Sequence, residues 1–337
     1  MLGERWREGN PFRRTRRIAA LVWLILAGAL ISGCDRQKGA QQAPSKPAIA
    51  PELWKEFSGE KAFEQVQAQV NFGPRPSGTA ALERARTHIV ETLRGHGWEA
   101  ERQEFEATPV LGKGALKFVN VIGRFPAVAG QAASGGTQRA IMASHYDSKR
   151  MVGVSFVGAN DSGSSTGALL ELARVLAKSP ALAAQIELVF LDGEEAIEQF
   201  GDPVTGTDGL VGSRYYARDL RDKGRAKQFQ FAIVWDMIGD KDLVLTLPSD
   251  SPPAIAGGII TAAEQLGLRK HMKYFHSPIL DDHEPIARIA RIPALDMIDF
   301  EYPPWHTSSD TLDRLSPESL RIVGQMTLWY LERELAK

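Results

Sequence analysis

From residue 78 onward the apolar positions switch repeatedly between two periods. Residues 78–97, "GTAALERARTHIVETLRGHG", repeat with the spacing of an amphipathic helix and end in glycines. Residues 116–125, "LKFVNVIGRF", alternate as a strand does, and 139–145, "RAIMASH", form a second. A helix is predicted over 166–180, stopped by Pro180. Residues 186–192 and 231–239 are continuous apolar runs of the kind found in buried parallel strands. A helix starts at 212, another covers 253–268, and 292–300 forms a further strand. Ser316 and Pro317 supply an N-cap and a first-turn proline for a last helix reaching about 335. This alternation predicts one α/β domain with a mostly parallel central sheet and helices on both faces. Ligands of such sheets gather at the carboxyl ends of the strands.

Polar residues fall at those ends. His145 and Asp147 stand where one strand finishes, and Asp161 lies in the turn "GANDSGSS" before a helix. Glu194 and Glu195 follow "IELVFLDG", Asp236 closes "FAIVW", and His306 comes a short loop after "IPALDMIDF". Buried carboxylates without compensation are costly, so a group converging on one rim needs water or a cation between its members. Two histidines with aspartates and a glutamate, and no thiolate, suit zinc. Singly, each residue has a plainer reading: Asp161 as a helix cap, His145 as a hydrogen-bonded strand end, the glutamates as a solvated pair.

The order His-x-Asp, Asn-Asp, Glu-Glu, Asp, His resembles the zinc aminopeptidase clan, and within it the glutaminyl cyclases. The resemblance spans about residues 70 to 335 and is carried by "NFGPRPSGT" (71–79), "SHYDSK" (144–149), "GANDSGSS" (158–165), "FLDGEEA" (190–196), "GSRYYA" (212–217), "DMIG" (236–239), "DDHEPI" (281–286) and "WHTSSDT" (305–311). The Ser-Lys pair after Asp147, the "DDH" of 281–283 and Trp305 directly before His306 point to the cyclase branch. Phe200 falls where animal cyclases carry a pocket tryptophan, the stretch 199–213 is longer than theirs, and Ile286 replaces a usual phenylalanine.

The resemblance implies one zinc held by Asp161, Glu195 and His306, leaving an open position. Glu194 would carry the proton, Asp236 and Asp281 would hold the proton network, and Trp305 and Phe200 would border the substrate. The reaction implied is closure of an N-terminal glutamine of a peptide to pyroglutamate with loss of ammonia. The same residues fit a second reaction. With His145 and Asp236 completing a second zinc site, the protein would be a di-zinc aminopeptidase. A non-catalytic lipid-anchored binding module fits less well, because every ligand and Glu194 is present. His88, His96, His271 and His276 read as surface or packing residues, His283 as a residue that orders the "DDHEPI" loop, and "RPSG" (75–78) as a rigid turn.

The amino-terminal segment has another character. Six arginines within residues 5–17 precede the 14-residue apolar run "IAALVWLILAGALI" (18–31), too short for the roughly 20 residues of a spanning helix. With "ISGC" ending in Cys34, the chain's one cysteine, it reads as a lipoprotein signal peptide over 1–33. Residues 34–52 then read as a flexible tether and 53–337 as the catalytic domain. The expectation is a bacterial envelope protein held to the bilayer by acylated Cys34. Without residues 1–33 the net charge falls from −1 to −5, which gives nucleic acid no basic footprint.

Overall fold

The computed structural model describes residues 52–109, 114–126, 138–198 and 208–336. In chain order its elements are α1 (Gly59–Val70), α2 (Ala80–Gly95), β1 (Glu99–Ala107), β2 (Leu116–Arg124), β3 (Ala140–His145), α3 (Ser165–Leu176), α4 (Pro180–Ala183), β4 (Ile186–Leu191), α5 (Val211–Asp222), β5 (Phe231–Asp236), β6 (Leu245–Leu247), α6 (Pro253–Gln265), β7 (Met272–Tyr274), α7 (His283–Pro285), β8 (Ala294–Ile298) and α8 (Pro317–Ala336). The signal segment, Cys34, the tether up to residue 51 and Phe200 lie outside the described residues.

The eight strands form one sheet in the order β1-β2-β4-β3-β5-β8-β6-β7. β4, β3, β5 and β8 are mutually parallel and sit at its centre. The sheet turns antiparallel at β1–β2, β2–β4 and β6–β8. Every residue of β3, β4, β5 and β8 is buried, as expected for strands covered on both sides. Alternate side chains divide between two cores. Met142, Leu188, Ile233 and Trp235 pack with α2, α3, α6 and α8. Ile141, Val189, Ala232 and Val234 pack with Tyr216, Ala217 and Leu220 of α5 and with Ile286 and Ile289. Helices therefore cover both faces, as the sequence pattern predicts.

Three features were not legible in the pattern. β6 and β7 are three residues each, too short to show a period. β1, "EAERQEFEA", alternates only weakly and is mostly solvated. It is an edge strand, and its charges discourage pairing with another chain. α1 is fixed by Ser58, whose side chain accepts the Lys61 N–H. Ser316 behaves as expected: its Oγ accepts the Glu318 N–H at 3.1 Å at the start of α8. Arg75, fully buried, donates to the carbonyls of Val157 at 2.7 Å and Gly158 at 3.1 Å. The "RPSG" turn is thus a structural support beneath the turn that carries Asp161.

Candidate metal centre and acidic pocket

Because β3, β4, β5 and β8 are parallel, their carboxyl ends open on one rim. His145 is the last residue of β3 and Asp236 the last of β5. Glu194 and Glu195 follow β4 by three and four residues, and His306 lies in the loop after β8.

Asp161 reaches the rim from a tight turn, Ala159–Ser164, that runs straight into α3. Its own backbone is non-helical, and the Asp161–Ser162 peptide is cis. Gly158 before it has φ +54°, and a Cβ there would stand 2.0 Å from the Asp161 carbonyl oxygen, so only glycine fits. Asp310 holds the turn from the other side. Its carboxylate accepts the N–H groups of Asn160 at 2.8 Å and Asp161 at 3.1 Å, and the Tyr302 hydroxyl at 2.9 Å. The N-cap positions of this turn and of α3 are Gly158 and Ser164, not Asp161, which removes its plainer reading.

The adjacent glutamates are set by Asp147. Its two carboxylate oxygens accept the N–H groups of Glu194 at 3.2 Å and Glu195 at 3.3 Å. Glu194 is 8% exposed and Glu195 6%, so they are not a solvated pair. Glu195 Oε2 lies 3.3 Å from His306 Nε2 and 3.2 Å from Lys149 Nζ. Glu194 Oε2 lies 4.0 Å from His145 Nδ1 and faces the pocket.

Two donor sets result, sharing Asp161. His306, Glu195 and Asp161 form one, and His145, Asp236 and Asp161 the other. His306 Nε2 is 3.3 Å from Asp161 Oδ2; His145 Nε2 is 3.3 Å from Asp161 Oδ1 and 3.2 Å from Asp236 Oδ1. These separations are long for charge-assisted hydrogen bonds, about 2.7–2.9 Å. Donors about 2.0–2.1 Å from a tetrahedral zinc stand about 3.3–3.4 Å apart. Glu195 Oε1 is buried without a hydrogen-bond partner. The residues fit a cation. His306 also has φ +52°, a left-handed backbone that costs a non-glycine residue about 1–2 kcal/mol.

The charges on this rim are strongly perturbed. Burial opposes the charge on His306, but Asp161 and Glu195 outweigh it and push the imidazole up to about 9. Burial likewise opposes charge on His145, yet Asp147, Asp161 and Asp236 raise it well above the usual histidine range. Asp161 is held low despite burial, by the two imidazoles. Burial pushes Asp236 up to about 7.

Beyond the histidines lies a pocket lined by Glu194, Asp281, Met237, Ile279, Leu280, Ile298, Phe300 and Trp305. Trp305 stacks on the His306 ring with centroids 4.2 Å apart. Burial raises the Glu194 carboxyl well above the usual range. His145 pulls it down, and Glu195, Asp281 and Asp282 push it further up. Asp282 and Asp296 are raised well above normal too, first by burial and then by neighbouring acids.

The structure thus brings His145, Asp161, Glu194, Glu195, Asp236, Asp281, Trp305 and His306 to one rim. Sequence reading left out Asp296, the contact of Lys149 with Glu195 and the supporting roles of Asp147 and Asp310. Asp310 is four residues after His306, and its place in "HTSSD" was the one available signal.

The comparisons with known proteins agree with this geometry. The pattern of peptidase family M28 matches residues 120–331. A glutaminyl-peptide cyclotransferase-like protein of Bos taurus is 30% identical over 77% of this chain and 72% of its own length. The crystal structure of an Acidobacteriales bacterium glutaminyl cyclase superposes with a TM-score of 0.71 at 30% identity, covering 88% of this chain and 99% of that one. A Zn-dependent exopeptidase of Parabacteroides distasonis superposes at 0.70 with 26% identity, covering 82% and 98%. The chain belongs to peptidase family M28, in the branch of the glutaminyl-peptide cyclotransferases.

Proposed function

We propose that this protein is a glutaminyl-peptide cyclotransferase acting on peptides or proteins with an N-terminal glutamine. One observation carries the reading: adjacent glutamates in opposite roles. Glu195 belongs to a cation donor set with Asp161 and His306, whereas Glu194 is a buried carboxyl of raised pKa facing an acidic, apolar-walled pocket. Zinc held by Asp161, Glu195 and His306 would supply Lewis-acid polarisation of the substrate's side-chain amide carbonyl.

The chain's own residues do the rest. Trp305, Phe300, Leu280 and Ile298 offer the apolar wall against which the glutamine side chain packs. Glu194 accepts a proton from the α-amine as its nitrogen bonds to the amide carbon. It returns that proton to the amide nitrogen as the carbon–nitrogen bond breaks, and ammonia leaves. A carboxyl doing both needs a pKa nearer neutrality than a solvated glutamate has. Burial and the acids around it supply that. Asp236 and Asp281 hold the proton network beside it.

A second reading rests on the His145–Asp161–Asp236 set, which has the same donor spacing. Occupied together with the first, it would make a di-zinc aminopeptidase with Glu194 as the base for water. The two are separated by assaying purified protein on Gln-peptides beside Leu-aminoacyl substrates. Ammonia with a pyroglutamyl product supports the cyclotransferase; release of free leucine without ammonia rejects it. We further propose that Cys34 is acylated and anchors the protein in a bacterial envelope, which mass spectrometry of the mature amino terminus would test.

A further inference from the structure

A third set of donors lies away from the rim. Asp250 is in the turn between β6 and α6, and His283 and Glu284 open α7. One ligand atom from each falls within 4.8 Å of the others. His283 Nε2 is 3.5 Å from Asp250 Oδ2. That is close to the 3.2–3.3 Å spacing at the rim and longer than a good charge-assisted hydrogen bond.

His283 supplies an independent indication. It is 4% exposed, and neither ring nitrogen has a hydrogen-bond partner. A buried imidazole normally satisfies at least one of them. It lines a surface cavity of about 370 Å³ together with Asp250, Glu284 and Arg288. Behind it, Asp296 Oδ2 stands 3.9 Å from Nδ1, and the Asp296 side chain is fully buried.

We propose that Asp250, His283 and Glu284 bind a divalent transition-metal cation, with zinc the ion of matching donor preference. One nitrogen and two carboxylate oxygens suit zinc and leave a position open to solvent in the cavity. Arg288 Nε lies 2.5 Å from Glu284 Oε2 on a half-exposed side chain. The cation competes there with that ion pair, whose arginine is half exposed while Glu284 is buried. The consequence is mechanical. Metal would tie the β6–α6 turn to the first residues of α7, two residues from Asp281. The sequence reading of His283 as an ordering residue is then half the account: it orders the loop through a metal.

The test uses full-length protein dialysed against micromolar zinc chloride, with bound metal counted for wild type, Asp250→Asn and His283→Gln. Asp250 is partly exposed, so its variant carries little folding risk. Both variants are expected to bind one zinc fewer than wild type. Crystals of the wild type are expected to show anomalous zinc density beside His283 Nε2. Wild-type stoichiometry in Asp250→Asn, or density only at His306, overturns the inference and leaves the proposed function standing. Density at His283 with none at His306 would do the reverse.

Discussion

On one side of the pocket, Asp161, Glu195 and Asp236 face the imidazoles of His145 and His306. On the other, Asp281, Asp282 and Asp296 press on one another, and burial with mutual repulsion raises Asp282 and Asp296. Both groups are buried carboxylates, the second made of Asp281 and Asp282 in the loop before α7 and of Asp296 inside β8. The first has basic partners at donor spacing and so fits a cation. The second has little positive charge near it, and Asp282 and Asp296 lower their cost by keeping protons. Glu194 stands at the boundary, one residue from a member of the first group and electrostatically part of the second. That boundary is where a group able to take and return a proton is useful.

The comparison can be broken from its strongest side first. His306→Ala removes a donor from the cation set, and we expect metal loss with activity down at least about 10²-fold; metal analysis beside turnover checks this. Asp310→Ala leaves the N–H groups of Asn160 and Asp161 without their acceptor. It should cost about 3 kcal/mol of stability and about 10–100-fold in metal affinity, read by denaturant unfolding and by competition with a chelator. Trp305→Ala leaves both acid groups intact and opens the apolar wall. KM should rise about tenfold, or ~1.4 kcal/mol, with kcat little changed. At the weak end, Arg102 pairs with Glu83 at 2.8 Å on the surface. Arg102→Gln should change stability by less than about 1 kcal/mol and leave metal content untouched. A larger effect would mean that charge pairing matters here irrespective of burial.

Much of this was visible in the sequence because it was written locally. A parallel strand buried on both faces is an unbroken apolar run, and the polar residue ending it announces the rim. His145, Asp236 and the two glutamates are legible for that reason. What was hidden depends on long-range closure. Asp310 matters through backbone N–H groups some 150 positions away, and nothing in its neighbours says so. Asp296 lies inside "IPALDMIDF", where an acid in an apolar run gives no hint of Asp281 or His283 beside it. β6 and β7 are too short for periodicity, and β1 is masked by the charges that protect an edge.

The central claim is that two adjacent glutamates do different work. The most direct test compares Glu194→Gln with Glu195→Gln for metal content and for ammonia release from a Gln-peptide. The account predicts that Glu194→Gln keeps its metal while turnover falls by about 10²–10⁴-fold, and that Glu195→Gln loses the metal. Metal lost from Glu194→Gln and retained by Glu195→Gln would contradict it.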